Sequence, residues 1–232
     1  MRLLASFLLI LSTTAQAEIR DVPYRVLSER LDNRITFETL PQRPEPGFNL
    51  DHPLRSTGAW MGERFKGQSL TQSMSASKIP HDALGQESAY RPLSIQAGPK
   101  NRNLSIAYHR GFGSNAVLPL GPDGFSNLSG RGEGALAVLF DTDQRSVGFR
   151  LHTDYAAPLG QKPDRGHITV YFMTRMGHLL ETRVLSPDLG VSEFGFETSD
   201  QRARIAGILM TNTDPGGIAI DDILFQIEMM LF

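Results

Sequence analysis

The chain has 232 residues, 40% of them apolar, with 23 basic and 25 acidic side chains, 22 glycines, 14 prolines and no cysteine. That apolar share fills a core and excludes global disorder, and the near balance of charge argues against nucleic acid, whose phosphates want a basic stripe. Without cysteine there is no disulfide framework and no thiolate chemistry.

Residues 1–17 read as a secretory signal peptide. Arg2 supplies the positive charge, Leu3 to Leu11 the apolar run, and Ala15-Gln16-Ala17 the cleavage site, so the mature chain is expected to begin at Glu18. The run is about half of the ~20 residues that span a bilayer. No later stretch reads as a membrane span, and the expected destination is the periplasm or the medium.

Residues 18–34 form a polar lead-in with one short helical turn, and residues 35–232 are expected to make a single β-sandwich domain, which an all-β chain of this length allows. Ile35-Thr36-Phe37-Glu38 alternates like a first strand. Pro41 to Pro53 carries four prolines and reads as a long surface loop, and Gln68 to Gln86, rich in Ser, Thr and Ala, as a second. Leu93 to Ile95 and Leu104 to His109 are short strands around the turn Gly98-Pro99-Lys100-Asn101. Ala135 to Phe140 is apolar on both faces, as an interior strand is; Asp141 to Ser146 reads as a hairpin tip returning through Val147 to His152. His167 to Thr174, Leu179 to Leu185, Val191 to Phe196, Ala203 to Met210 and Ile218 to Gln226 complete about ten short strands, the pattern of a sandwich.

Several motifs fail on context. Gly130-Arg131-Gly132-Glu133-Gly134 precedes a strand, whereas a nucleotide-binding loop follows one and opens a helix. Asp141-Thr142-Asp143 starts like an EF-hand but has Ser146 and His152 where glycine and glutamate are required. Phe232 invites a membrane-barrel reading, yet Glu228 and Gln226 would fall in its lipid-facing band. His109, His152 and His167 stand at strand ends, where solvated histidine is the ordinary state. Arg150, His152, His167 and Tyr171 are the candidate ligand-binding residues, because adjoining strands would place them on one polar face; an ordinary solvent face is the competing reading.

The strand after Asp214-Pro215-Gly216-Gly217 is apolar on both faces except for Asp221 and Asp222. A carboxylate beside core residues needs an arginine, backbone N–H groups or a cation. An aspartate pair at a strand bulge, bonded locally, and a calcium site are both open. Gly62 to Gln68, Gly132 to Phe140 and the closing Asp-Asp-Ile, taken with Phe37-Glu38, resemble exported bacterial jelly-roll sandwiches of the PEP-CTERM-associated and MAM-like type. The resemblance implies an all-β, two-sheet antiparallel jelly-roll of the concanavalin or galactose-binding kind. It also implies calcium between a first-strand acid and the closing aspartates, here Glu38, Asp221 and Asp222.

The function expected is a secreted, non-enzymatic sandwich that binds glycan or another cell-surface or matrix component, with calcium as a stabilising ion. A polysaccharide lyase or hydrolase on the same fold, and a purely structural exported protein, are the alternatives, since fold alone does not choose among them.

Overall fold

The computed structural model describes residues 18–75, 78–153 and 166–227. Residues 1–17, expected as a signal peptide, and the last five residues lie outside them. Two antiparallel sheets enclose one core, as the all-β two-sheet reading expects. The larger sheet runs, in spatial order, β1 (Ile19–Asp21), β16 (Val191–Thr198), β13 (Ser146–His152), β18 (Ala219–Phe225), β11 (Ser114–Pro119), β10 (Leu104–His109) and β3 (Phe48–Leu50), with β2 (Asn33–Ile35) also paired to β18. The smaller runs β15 (Leu179–Leu185), β14 (Ile168–Met173), β17 (Ile205–Asn212), β12 (Leu136–Gln144), β5 (Ala59–Gly62) and β4 (Leu54–Ser56). Two short ladders stand apart: β6 (Arg64–Phe65) with β9 (Ile95–Gln96), and β7 (Ser69–Met74) with β8 (Pro80–Gln86). One α-helix, α1 (Tyr24–Arg30), packs its Tyr24 and Leu27 against the larger sheet beside Leu224. Among the described residues no helix is long and apolar enough to cross a membrane.

The period-two pattern decides the core. Val147, Phe149 and Leu151 of β13 share it with Ile168, Val170 and Phe172 of β14, all fully buried. Aromatic pairs bridge the two sheets, Phe172 to Phe196 at 5.1 Å and Phe140 to Phe225 at 5.0 Å between ring centroids. Each such side chain contributes about 1.5–3 kcal/mol by leaving water. β12 lies between β17 and β5, so the stretch around Ala135 to Phe140 is interior, as its double-sided apolarity requires.

Four expectations are corrected. The strand expected at Ile35 to Glu38 ends at Ile35, and Phe37 turns with a φ of 59°. The cause is Asn115, fully buried, which donates from Nδ2 to the carbonyls of Phe37 and Leu40 and from its backbone N–H to Glu38 Oε1 at 2.6 Å. The segment expected as a hairpin about Asp141 to Ser146 instead crosses between sheets: β12 belongs to the smaller and β13 to the larger. Gln144 secures that crossing, accepting from the backbone N–H of Gln226 and donating to its carbonyl. The loop expected at Gln68 to Gln86 is the β7–β8 hairpin, largely solvent-exposed on β7 and therefore poor in the apolar signal of a strand. The loop expected at Pro41 to Pro53 contains β3, which pairs with β10.

Glu197, 1% exposed, collects Arg20, Arg30 at 3.0 Å and Arg145 at 2.8 Å, and so joins β1, α1 and the β12–β13 crossing to β16. Glu197→Ala strands those guanidiniums, which are 40–50% exposed and can turn to water. The loss should therefore be about 2 kcal/mol rather than the ~3–5 of a fully buried pair, read as a lower urea midpoint with an unchanged slope.

Candidate functional site

β18 carries most of the site. Arg150 stands opposite Asp221 while Gly148 stands opposite Leu224, so between these pairs two residues of β18, Asp222 and Ile223, answer the single Phe149 of β13. The surplus residue is Asp222, with a φ of 50°. This is a β-bulge, and it turns two successive carboxylates away from the core that Ile220 and Ile223 enter. Aspartate tolerates the left-handed conformation better than most residues.

Each acid expected to hold calcium has protein partners. Asp222 takes Arg150 at 2.9 Å and Arg34 at 3.5 Å, and its backbone carbonyl accepts from the Tyr24 hydroxyl at 3.0 Å. Burial and the neighbouring Asp222 charge push the Tyr24 hydroxyl's pKa well above its ordinary value. Asp221 Oδ2 accepts from Ser114 Oγ at 2.6 Å, while its Oδ1 has no hydrogen-bond partner among the described residues. Burial pushes its pKa up to about 7. Glu38 is taken up by the Asn115 N–H and by Gln42, although its charge still reaches Asp221. No group of three or more His, Cys, Asp or Glu side chains among the described residues is placed to hold a metal. Arg150 and Arg34 are the charged partners of Asp222 at the bulge.

Arg150 and His152 do come together, but with different neighbours from those expected. The tip of the β10–β11 hairpin folds over β13: the His109 and His152 rings are 4.5 Å apart, and Phe112 lies 5.4 Å from the first and 6.0 Å from the second. The Arg150 guanidinium sits 5.6 Å over Phe112. Gly111 permits the approach, since a Cβ there would meet the His152 ring at 2.2 Å. His109 Nδ1 pairs with Glu45 at 2.9 Å, and Arg131 reaches the other oxygen at 3.4 Å. The hydrogen bond to His109 keeps the Glu45 carboxyl below the usual range. Both histidines are buried rather than solvated.

His167 and Tyr171 are elsewhere. β14 pairs with β15 and β17 in the smaller sheet, so its outward residues cannot share a face with those of β13. Tyr171 packs on the satellite core of Phe65, Leu93 and Leu209, and His167 Nδ1 meets Thr213 Oγ1 at 3.1 Å. Hydrophobic alternation says which way a side chain points and nothing about which strand lies beside it.

A second face was not singled out by the sequence. Trp60, between the core residues Ala59 and Met61, points outward from the smaller sheet and is 41% exposed. The Arg55 guanidinium lies 5.2 Å from its ring and grips Asp141 with two bonds of 2.7 and 2.6 Å. Arg175 pairs with Asp143 at 2.8 Å two positions along. Arg55 also lines a cavity of about 320 Å³ with Asn33, Arg34, Thr36, Thr39 and Thr57. The one available signal was the lone tryptophan between two residues of opposite facing, masked because all three are apolar.

No family model and no curated protein matches the sequence. Among solved structures, the enzymatically active domain of tailspike protein 4 from bacteriophage CBA120 is similar at 10% identity and a TM-score of 0.31, over 54% of this chain and 18% of that one. The Clostridium thermocellum N-terminal endo-1,4-β-D-xylanase 10B, solved as its CBM22-1 and GH10 modules with xylohexaose, is similar at 10% identity and a TM-score of 0.33, over 85% and 28%. The chain spans less than a third of either protein.

Folding holds a proton on Asp221 that the unfolded chain releases near 3.8, so its contribution to stability is full below that pH and falls as pH rises toward about 7. Asp82 and Asp214, each raised by burial to about 6, act in the same direction. A tenfold difference in proton affinity between the folded and unfolded chain corresponds to ~1.4 kcal/mol. Asp221→Asn should therefore leave melting near pH 4 little changed and raise it at pH 8; an unaltered pH profile would refute the assignment. Asp222→Asn should cost about 1–2 kcal/mol through the lost charge. Asp222→Ala should cost about 1 kcal/mol more, because the φ of 50° then falls on alanine.

Proposed function

We propose that the protein is exported and serves as a non-catalytic β-sandwich that binds glycan of a cell surface or matrix on the face around Trp60. The observation that carries this reading is the exposed Trp60 ring flanked by the bidentate Arg55–Asp141 pair. A pyranose offers one C–H-rich face and a rim of hydroxyls. A tryptophan supplies broad apolar area at low entropic cost, while a fixed guanidinium and carboxylate offer donors and acceptors in one plane.

Binding is favoured over hydrolysis at this face by the state of its acid. The hydrogen bond from Arg55 holds the Asp141 carboxyl below its ordinary range, which suits an acceptor and is the wrong direction for a general acid. Export rests on residues 1–17 alone, and N-terminal sequencing of secreted material should begin at Glu18.

A glycan array probed with the mature chain, in calcium and in chelator, tests the binding. The wild type should mark a restricted set of glycans, and Trp60→Ala should weaken them at least about tenfold, equal to ~1.4 kcal/mol, with its melting temperature unchanged. An array without signal, or a Trp60→Ala protein that binds as well as the wild type, would reject the proposal.

A further inference from the structure

Gly132-Glu133-Gly134, which leads into β12, is clamped on every side. A Cβ on Gly132 (φ +103°) would lie 2.4 Å from the Ile218 nitrogen, and one on Gly134 would lie 2.4 Å from the Leu120 carbonyl. The backbone around it is tied down: Gly132 N–H donates to Pro119 at 2.8 Å, while the carbonyls of Gly132 and Glu133 accept from Ile218 and Asp82, each at 3.0 Å. Asn212 Nδ2 adds a bond to the Gly132 carbonyl at 2.7 Å.

Inside this clamp the Glu133 side chain is 0% exposed, and neither carboxylate oxygen has a hydrogen-bond partner among the described residues. Asp123 and Asp214 add negative charge nearby, and Arg131, the nearest cation, is committed to Glu45. A proton on Glu133 would cancel the charge and still leave an O–H and acceptor lone pairs unmade, which is the costly state for a buried polar group. An apolar residue would fill the same space without that cost.

We propose that Glu133 anchors a divalent cation of the calcium class, in a site separate from the β18 bulge. Calcium accepts about 6–8 oxygens in flexible geometry, including carboxylate, carbonyl and water. Glu133 supplies a bidentate edge. Asp214, from the turn before β18, and Asp123, from the 121–130 loop, supply field rather than a closed acidic shell, since no three acidic or imidazole side chains converge among the described residues. Neutral oxygens complete the coordination. The ion would neutralise Glu133 at the start of β12, within the field of Asp214 in the turn before β18.

Calorimetric titration of the EDTA-stripped full chain with calcium chloride, and separately with magnesium chloride, tests this. One calcium per chain is expected, with melting raised roughly 5–10 °C at a hundredfold excess over Kd. Glu133→Gln should abolish uptake, and Asp214→Asn should weaken it about tenfold. No uptake at millimolar calcium, or uptake unchanged in Glu133→Gln, overturns the site. So does uptake lost in Asp221→Asn but kept in Glu133→Gln, which assigns the ion to the bulge. Should Glu133→Gln fail to fold, Asp214→Asn decides, and an unchanged calcium affinity in that variant overturns the proposal.

Discussion

A strand buried on both faces yet carrying two adjacent carboxylates is the constraint around which the larger sheet is organised. All seven residues of β18 are buried, and its pairing partners are β13, β11 and β2. In a regular strand one of Asp221 and Asp222 would face the core. The bulge spends one residue to bring both to the same side, where β13 offers Arg150, β2 offers Arg34, β11 offers Ser114 and α1 offers the Tyr24 hydroxyl. Compensation for the pair thereby recruits four separate elements, and their mutual positions follow from it.

Seven acids fall into two groups by what surrounds them. Glu45, Asp141 and Glu197 have arginine or histidine in contact and sit below their ordinary pKa. Asp82, Glu133, Asp214 and Asp221 are buried with incomplete compensation and sit above it. The first group ties strands together and tolerates exposure. The second lowers stability toward alkaline pH, and a chain retains such groups where a ligand, an ion or a required backbone geometry makes use of them.

The exposed features are concentrated differently. The outer side of the larger sheet is closed by α1 and by the β10–β11 tip, with its histidines covered. On the smaller sheet, the satellite core under β6–β9 closes one half and leaves Trp60, Arg55 and Asp141 at the other. Trp60, Arg55 and Asp141 are held by the sheet beneath them, so their side chains have little entropy left to lose.

Much of this was legible in the chain itself. Alternation in Val147 to Leu151 and in Ile168 to Phe172 was sufficient to identify strands and their inward faces, because burial acts on each residue where it stands. The aspartate pair announced its own problem, and the backbone meets it with a bulge that puts both carboxylates on one side. Pairing was not legible. Nothing local places β12 and β13 in different sheets, sets Arg150 beside Asp222 while removing Tyr171 to the opposite side, or folds Phe112 onto His152. Those outcomes depend on which strands become neighbours, a choice made by the summed packing of the whole core and by single buried groups such as Asn115 and Gln144 that close its corners. The sequence determined the strands of the core and their inward faces; the tertiary structure alone decided the company each side chain keeps.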